Sequence, residues 1–321
     1  MCDWVANRIG RENVFLAVPG DATEQELIDY PVVGPDQRRQ ISHVVFAGGG
    51  YFGEPNFGLL KRFRWQRRNR KTHLDWLSDY SLAKKAIFGV GVGPITFPFY
   101  RRAARRLFVE ADPVYVRDRE SLDYVKQYNL NTDKVRLGTD LALSIPRAIT
   151  VPEKSFAIHA TGLPPKEIEA IFDALVERGM IDPDRAIDIL FDGAAAKKSI
   201  NRYQETLGKK RGHDKLNFVE YRDVDSLVRE IGRYELIFTS KLHVGVVATA
   251  LGRAVISMPV HQKTVRFYRQ IGLEEFCLEG ARRHASEIAR MIARRGEYEF
   301  NRAPTDQALQ EMRESLDRFL I

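Results

Sequence analysis

Residues 237–263, IFTSKLHVGVVATALGRAVISMPVHQK, carry the clearest structural pattern in the second half of the chain. A short apolar run ends just before Ser240, which is a good helix N-cap, and small and apolar residues then continue to Gly252, which suits a helix C-cap. A second apolar run, residues 254–258, follows at once. This order predicts a strand, a helix and a second strand.

Basic and imidazole side chains follow both of these predicted strands. Lys241 and His243 come after the first strand, and His261 and Lys263 come after the second. Parallel strands joined by a right-handed crossover present their carboxyl ends at one edge of the sheet, so these side chains should gather there. The start of the helix adds unpaired N–H groups and partial positive charge, which favour a phosphate or a carboxylate. The alternative is an ordinary βαβ unit with a solvated lysine and a capping histidine.

Length and composition indicate a globular protein of two domains. The chain has 321 residues, of which 44% are hydrophobic and 29% are charged. No apolar run is long enough to span a bilayer, and charged residues between Asp3 and Glu12 interrupt any secretory segment, so we expect a cytoplasmic protein. The two cysteines, Cys2 and Cys277, argue against a disulfide framework and against a cysteine-rich metal site.

The chain is basic, with a formal net charge of +7 and a pI near 9.3. Much of the excess lies in residues 61–71 and 101–106. Nucleic acid, an anionic membrane surface and a phosphorylated substrate all fit such a pattern, and so does a solvated helix face without a partner. Phe63 and Trp65, inside the first run, could stack on bases, enter a membrane interface or anchor the segment to the core.

A glycine-rich segment follows the first clear strand of the chain. Residues 43–47 are mostly apolar and lead directly into Gly48, Gly49 and Gly50. Glycines at a strand end allow close approach of the backbone to a ligand, and their N–H groups can form an anion nest. The segment lacks the G-x-G-x-x-G spacing and the Walker lysine, so the pattern supports neither NAD nor a P-loop nucleotide. The alternative is a tight turn without a ligand.

Two more strand ends in the first half deliver polar side chains. A short strand at residues 114–116 leads to Arg117 and Asp118, with Ser121 in the following helix, and a later strand ends before Asp140. Strands and helices therefore alternate through the first half. This alternation predicts a mainly parallel sheet that is covered on both faces.

A polar linker around residues 144–152, bracketed by two prolines, marks the predicted domain boundary. The predicted fold class is α/β, with two Rossmann-like, doubly wound domains, residues 1–150 and residues 151–321, facing a central cleft. In such sheets ligands bind beyond the carboxyl ends of the strands. The cleft is therefore predicted to hold the glycine run, Arg117 and the basic residues after the last two strands.

Four pieces of the sequence, taken in order, are familiar: VVFAGGGYFG, GVGP, VYVRDRESLDYV with the later LGTDLAL, and TSKLHVGVVATALGRAVISMPVHQK. With these pieces the chain resembles the polysaccharide pyruvyl transferase family over most of its length from His43 to about Gly272. The resemblance implies two Rossmann-like domains in a GT-B-like arrangement. It also implies transfer of the pyruvyl group of phosphoenolpyruvate to two hydroxyls of a sugar, which forms a cyclic ketal and releases phosphate.

The resemblance assigns roles to residues of the second half. The family's R-L-H motif stands here as Lys241, Leu242 and His243, and Lys263 matches a lysine commonly found after the next strand. Lysine keeps the charge of the motif but lacks the planar fork with which arginine grips a carboxylate. His243 is implied as the general acid/base, because an imidazole can deliver a proton to the methylene carbon or remove one from a sugar hydroxyl.

Residues of the first half match a second motif of the family. Arg117, Asp118 and Ser121 correspond to its R-D-x-x-S pattern. Phosphoenolpyruvate carries a carboxylate and a phosphate, so its site needs several cationic or N–H donors. Arg117, as a second catalytic residue, would supply these cationic donors together with Lys241 and Lys263. Gly48–Gly50 would belong to the substrate site. Asp118 and Asp140 would orient a base or bind the sugar, or they would simply cap helices.

The family's amino-terminal G-N-x-G-D motif is missing from the sequence. Either Gly20 and Asp21 are its remnant or the natural start lies upstream. His159 and His261 are weaker acid/base candidates, and neither makes a metal-ligand pattern with neighbouring residues. We expect no metal and no cofactor, since phosphoenolpyruvate is the donor substrate.

The expected partners follow from this interpretation. They are phosphoenolpyruvate and a sugar or lipid-linked oligosaccharide acceptor of a cell-surface or extracellular polysaccharide, with no nucleic acid. The basic run at residues 61–71 is compatible with peripheral contact at an anionic inner membrane face. Two alternatives stay open: a GT-B glycosyltransferase that uses a nucleotide sugar, and a non-catalytic module that binds anions or nucleic acid.

Overall fold

The computed structural model of the protein describes most of the chain. The described residues are 1–16, 30–55, 58–131, 133–148, 151–181, 186–192, 200–201, 203–205, 216–280 and 284–321. Gly20 and Asp21, the remnant considered for the amino-terminal motif, lie outside this set.

Parallel strands alternate with helices along the described residues. The strands are β1 (His43–Ala47), β2 (Lys84–Val90), β3 (Ala111–Val116), β4 (Val135–Leu137), β5 (Lys154–His159), β6 (Ile187–Asp192), β7 (Leu216–Tyr221), β8 (Tyr234–Thr239) and β9 (Ala254–Ser257). The helices are α1 (Cys2–Ile9), α2 (Leu59–His73), α3 (Pro98–Glu110), α4 (Arg119–Gln127), α5 (Pro165–Glu177), α6 (Val224–Gly232), α7 (Leu242–Ala250), α8 (Gln262–Gln270), α9 (Ala285–Ala293) and α10 (Ala303–Phe319). This alternation confirms the predicted α/β class with Rossmann-like units.

The chain divides into two compact units. The first comprises Met1–Leu141 together with Arg302–Ile321, and the second comprises Ala142–Asn301. The predicted division at residue 150 therefore needs two corrections. The boundary lies earlier, and the last helix, α10, returns to the first unit instead of closing the second.

The first unit contains a four-stranded sheet in the order β1-β2-β3-β4, with every neighbouring pair parallel. Side chains alternate between its faces, as the pleat of a strand requires. Ile87, Val114 and Val116 point into a core that α3 and α4 complete with residues such as Phe108 and Val125. In this sheet each strand lies on the same side of the one before it. Right-handed crossovers then place all the connecting helices on one face of the sheet, the face that carries this core.

Helix α10 covers the opposite face of the first sheet. Phe88 and Tyr115 point there and pack with Met312 and Leu316, and the Tyr115 hydroxyl lies 2.7 Å from Ser315 Oγ. The apolar residues of α10 recur every three or four positions, so they form one stripe along the helix. This stripe needs a sheet face to cover, which is the physical reason that α10 belongs to the first unit.

The second unit contains a five-stranded parallel sheet in the order β7-β6-β5-β8-β9. The strand order reverses at β5, since β6 and β7 extend on one side and β8 and β9 on the other. This is the arrangement of a doubly wound Rossmann domain, and its ligand position lies at the carboxyl ends of the two strands that flank the reversal. Here those strands are β5 and β8, whose ends pair as His159 with Thr239.

Residues 237–263 fold as strand β8, helix α7 and strand β9, as predicted, with one correction at the helix start. Lys241, not Ser240, occupies the N-cap position of α7. The Ser240 hydroxyl instead donates to Thr161 O at 2.9 Å. At the other end Gly252 adopts φ +74°, the left-handed conformation that ends a helix.

Among the described residues, no helix combines the length and the apolar character that crossing a bilayer requires.

Candidate functional site

The reversal in the second sheet brings the Lys241 loop beside the end of β5. Thr239 pairs with His159 on one side and with Ser257 on the other, and Met258 N–H donates to Thr239 O at 2.8 Å. The ends of β5, β8 and β9 therefore form a continuous edge. Side chains that follow these strands meet at the position where doubly wound sheets bind ligands.

Lys241 is exposed at this edge, although its backbone is fixed. Its N–H donates to Thr239 Oγ1 at 3.0 Å. Gly162, in the loop after β5, lies against it at φ +87°, and a Cβ there would come within 2.8 Å of Ser240 Oγ and 3.7 Å of Lys241 Cε. A side chain at residue 162 would crowd this loop, so glycine keeps the space beside the lysine open.

His159 lies fully buried beneath the same loop. Its Nδ1 is 3.3 Å from Thr239 Oγ1 and its Nε2 is 2.8 Å from the Tyr221 hydroxyl. Thr239 Oγ1 also accepts the Lys241 N–H, so one threonine hydroxyl joins the imidazole to the backbone of the lysine. Burial, and then the charge of Lys241, lowers the pKa of His159 to about 3.

The buried chain Tyr221–His159–Thr239 therefore ends on the backbone of Lys241. It holds a neutral imidazole under a cationic side chain. His159 was considered only as a weak acid/base candidate, and its burial shows that it supports the edge from below without facing solvent.

His261 and Lys263 share the electrostatic environment of Lys241. His261 occupies the N-cap position of α8 and both residues are exposed. The pKa of His261 is lowered first by partial burial and then by the charges of Lys263 and Lys241. The three side chains of this edge thus combine two positive charges with an imidazole that is held neutral.

His243 lies on the first turn of α7, two residues after Lys241. Its side chain is exposed, whereas its neighbours Leu242 and Val244 are buried against the core of the second unit. The remainder of α7 is buried almost completely, so polar chemistry on this helix is confined to its first turn.

The glycine run of the first unit forms a turn with open space at its first and last glycines. Gly48 and Gly49 adopt φ +61° and +77°, and a Cβ at Gly48 or Gly50 would meet nothing within 4 Å. Gly49 O accepts the N–H of Gly91 at 2.9 Å, which ties the run to the end of β2. A ligand could therefore approach the backbone at Gly48 and Gly50 without a steric clash.

Arg117 is buried at the end of β3, with only 7% of its side chain exposed. Its Nε lies 3.3 Å from Asp118 Oδ2 and its Nη1 lies 3.6 Å from Asp140 Oδ2. A Cβ at Gly91 would come within 2.6 Å of the guanidinium, so the end of β2 closes over it. The structure thus brings these predicted site residues together, and it places two carboxylates beside the arginine.

Asp118 caps α4, which was one of the two roles that the sequence left open. It accepts the Ser121 N–H and the Ser121 hydroxyl, each at 2.7 Å. Ser121 Oγ in turn accepts the N–H of Val92 at 2.9 Å. The R-D-x-x-S and G-V-G-P pieces are therefore joined by a buried hydrogen-bond network.

Sequence reasoning missed the residues that hold the glycine-rich segment. Glu54, with 2% of its side chain exposed, accepts hydrogen bonds from Arg62, Gln66 and Thr96. Asn69 donates to Tyr51 O at 2.5 Å. A signal was present, because Arg62, Gln66 and Asn69 recur at helical spacing in a segment without an apolar stripe.

Within the described ranges, no group of three or more His, Cys, Asp or Glu side chains is placed to hold a metal ion.

Three solved structures illustrate what the chain is similar to in shape. Anabaena HepE in complex with UDP and glucose has a TM-score of 0.47 and 12% identity, covering 98% of this chain and 95% of that chain. S. aureus MnaA with UDP has a TM-score of 0.47 and 12% identity, covering 83% and 73%. Methanocaldococcus jannaschii UDP-GlcNAc 2-epimerase, with UDP-GlcNAc and UDP, has a TM-score of 0.44 and 12% identity, covering 67% and 63%. The match thus spans less than two thirds of that epimerase.

The comparison with curated proteins gives no match. A family model does match, described as polysaccharide pyruvyl transferase, over residues 8–262. The matched range contains both motif regions, including Arg117 and Lys241, and Lys263 is the first residue beyond it. This range covers well over half of the sequence, and it confirms the resemblance inferred from the four motif pieces. The chain therefore belongs to the polysaccharide pyruvyl transferase family.

Proposed function

We propose that the protein transfers the pyruvyl group of phosphoenolpyruvate to a sugar of a cell-surface or extracellular polysaccharide, or of its precursor. The product is a pyruvate ketal, and phosphate is released. Family membership supports a transferase that acts in polysaccharide synthesis. The donor and the ketal chemistry rest on the site residues of the second unit.

One observation carries the proposal, namely the position of Lys241 at the reversal of the second sheet. The lysine is exposed beside Gly162, its charge acts on the same imidazole as that of Lys263, and the helices α7 and α8 both begin there. Two positive charges and the N–H groups of two helix starts suit a ligand with two anionic groups. Phosphoenolpyruvate carries a carboxylate and a phosphate at neighbouring positions.

His243 is assigned as the general acid/base. In the reaction, two sugar oxygens bond to the central carbon of phosphoenolpyruvate, and the bond from that carbon to the phosphate oxygen breaks. One hydroxyl proton ends on the methylene carbon, which becomes a methyl group, and the other ends on the phosphate. An exposed imidazole on the first turn of α7 suits the transfer of these protons.

The residues of the first unit receive different roles. Gly48 and Gly50 are assigned to substrate binding because their surroundings are open, and Gly49, between them, belongs to the same turn. Arg117 faces Asp118 and Asp140, so we assign it the positioning of these carboxylates and of the Gly91 turn in preference to direct contact with the donor. Asp140, whose side chain is 10% exposed, is the carboxylate of this cluster that we assign to the acceptor sugar.

The acceptor is proposed to be a nucleotide-activated or lipid-linked sugar in the cytoplasm. A lipid-linked acceptor would require contact with a membrane, for which α2 offers a surface.

Calorimetric titration of phosphoenolpyruvate into the purified protein tests the proposal, with UDP-glucose as the comparison ligand. We expect saturable binding of phosphoenolpyruvate that weakens about tenfold or more in Lys241→Gln, because a charge-assisted contact is lost. Arg178→Gln is the matched control. Arg178 is exposed just after α5, at the other end of the same sheet, and this variant should bind like the parent.

Other outcomes would redirect the interpretation. Binding of UDP-glucose alone would favour a glycosyltransferase. Equal phosphoenolpyruvate affinity in Lys241→Gln and the parent would remove Lys241 from the donor site. Binding of neither ligand would contradict the proposed donor.

A further inference from the structure

Helix α2 has a polar inner face and an outer face that mixes basic and apolar side chains. Its inner face holds the glycine-rich segment, because Arg62 and Gln66 bond to Glu54 and Asn69 bonds to Tyr51 O. The opposite face points to solvent at helical spacing. Six exposed side chains of this face carry the argument: Leu60, Phe63, Arg64, Arg67, Arg68 and Lys71.

The outer face of α2, defined by these six residues, is strongly cationic. Within the part of the chain that the structure describes, no carboxylate lies within salt-bridge distance of its three arginines or its lysine. The basic residues of α2 toward the core differ, since Arg62 pairs with Glu54 and Arg70 with Asp75. The positive charge of the outer face is therefore available to an external partner.

The second basic run, on α3, keeps fewer unpaired cationic side chains among the described residues. Arg101 lies over the Tyr128 ring at 4.6 Å and donates to Ile95 O, and Arg106 pairs with Glu110. Two of its four arginines are thus engaged within the first unit.

Apolar side chains accompany the charge of α2. Leu59 and Leu60 are 67% and 63% exposed at the start of the helix. Phe63 is 39% exposed and packs edge-on against Phe97 and Phe99, with ring centroids 5.3 and 5.8 Å apart. These side chains place an apolar region directly beside the arginines.

The aromatic rings and the basic residues together line a depression of about 400 Å³. Its lining residues are Phe63, Phe99, Arg67, Arg70, Lys71 and Asp75. Arg70 is already paired with Asp75 at 2.7 Å, which leaves Arg67 and Lys71 to face an anion. A phosphate group held there would lie against an aromatic floor.

We propose that the outer face of α2 binds the surface of an anionic phospholipid bilayer. The leucines and Phe63 would enter the boundary between headgroups and acyl chains, as apolar residues of interfacial helices do. Arg64, Arg67 and Lys71 would contact lipid phosphates, to which arginine can donate two parallel hydrogen bonds.

The same observations disfavour nucleic acid as the partner. A sugar-phosphate backbone offers no apolar surface that the exposed Leu59 and Leu60 could contact. Phe97 and Phe99 stack on each other and Phe63 packs edge-on against both, so these rings are engaged with one another and do not form a free platform for bases. A bilayer satisfies the charged and the apolar parts of the face together.

This inference extends the proposed function without depending on its chemistry. One helix diameter, about 10 Å, separates the outer face from the residues that hold the glycine-rich segment. A bound bilayer would therefore lie close to the substrate-binding turn of the first unit, which suits an acceptor that is linked to lipid.

Co-sedimentation of the full chain with vesicles tests the proposal, and it needs no turnover. Vesicles of phosphatidylcholine alone are compared with vesicles of equal parts phosphatidylcholine and phosphatidylglycerol, at low and at high salt. We expect binding to the anionic vesicles only, and weaker binding at high salt because the charges are screened.

Two variants separate the charged from the apolar contribution. Arg64→Glu with Arg67→Glu should lower the partition coefficient at least about tenfold, because each basic residue near an anionic surface contributes to binding. Leu60→Ser with Phe63→Ser should lower it about tenfold at unchanged charge. The control, Lys126→Glu with Arg178→Glu, changes the net charge by the same amount at exposed positions outside α2 and should bind like the parent.

Several results would overturn the proposal. Equal binding to both kinds of vesicle, or an equal loss in the control variant, would mean that the outer face is not the contact. Binding to a single-stranded oligonucleotide that survives Leu60→Ser with Phe63→Ser, together with no vesicle binding, would assign the face to nucleic acid. Circular dichroism confirms that each variant is folded, and loss of phosphoenolpyruvate binding in the parent would leave the vesicle result unaffected.

Discussion

Arg117 and Lys241 both follow a strand of a parallel sheet, yet they lie in opposite surroundings. Arg117, after β3, is buried between Asp118 and Asp140 and under Gly91. Lys241, after β8, is exposed beside Gly162. The order of the described strands explains the difference. In the first sheet each strand lies beside the previous one, always on the same side. In the second sheet the strand order reverses at β5, which leaves a ligand position open at the carboxyl ends of β5 and β8.

A cationic residue at the end of a strand can therefore have either of two roles. Where carboxylates surround it, as at Arg117, removing the charge should destabilise the fold. Where it faces solvent beside a second lysine and a neutral imidazole, as at Lys241, removing the charge should affect ligand binding and leave the fold intact. The strongest tests are those that separate turnover from stability.

The largest expected effect is on turnover in His243→Ala. Loss of a general acid/base lowers the rate by roughly 10²- to 10⁴-fold, whereas an exposed side chain contributes little to stability. Phosphate release from phosphoenolpyruvate, measured with a panel of nucleotide-activated and lipid-linked sugars, reports the rate. His284→Ala, at an exposed histidine beside α9, is the matched control. A folded His243→Ala protein with parental turnover would place the acid/base elsewhere.

The next effect is on stability in Arg117→Met. Removing the guanidinium from this buried ion-pair cluster takes the positive charge away from Asp118 and Asp140, which costs about 3–5 kcal/mol. Urea unfolding monitored by circular dichroism measures the loss. Arg178→Met, at an exposed arginine, should stay within about 0.5 kcal/mol of the parent. If both variants unfold at the parental urea concentration, Arg117 is not structural, and direct contact with the substrate becomes the better assignment.

The smallest effect is a dependence of stability on pH that originates at His159. Its pKa of about 3 in the folded protein lies below the unfolded value near 6.5, so the unfolded chain takes up the proton first. Stability contributed by the neutral imidazole is complete above about pH 6.5 and is lost as the pH falls toward 3. The slope is about 1.4 kcal/mol per pH unit for one proton.

His159→Phe should reduce that slope, although it also removes the hydrogen bonds to Thr239 and Tyr221 and so lowers stability at neutral pH. Urea unfolding at several pH values between about 4.5 and 7.5 measures both changes. Tyr221→Phe keeps the histidine and serves as the comparison. Identical slopes in His159→Phe and the parent would show that another group titrates in this range.

Much of the fold could be predicted from the sequence, because most of the strands are short apolar runs, and several are followed directly by glycine or by a charged residue. The place of α10 could not be predicted. Its apolar stripe shows that it covers a sheet, but the stripe does not show which one. The predicted cleft between facing domains stays a prediction.

The candidate site was predictable where it depends on strand direction and not where it depends on distant partners. Lys241, His261 and Lys263 meet because parallel strands end at one edge. The Ser240 prediction was wrong, because its hydroxyl bonds to Thr161 O, a contact set by tertiary structure. The burial of Arg117 likewise depends on Asp140, which a different strand delivers.

The return of α10 to the first unit has a consequence for the order of synthesis. The apolar side of the first sheet, with Phe88 and Tyr115, lacks the side chains of α10 until residues 303–319 have left the ribosome. By then the second unit, which is contiguous in the chain, has been made in full. The second unit is therefore free to fold during translation. The first unit can complete the core between its sheet and α10 only after that helix has been made.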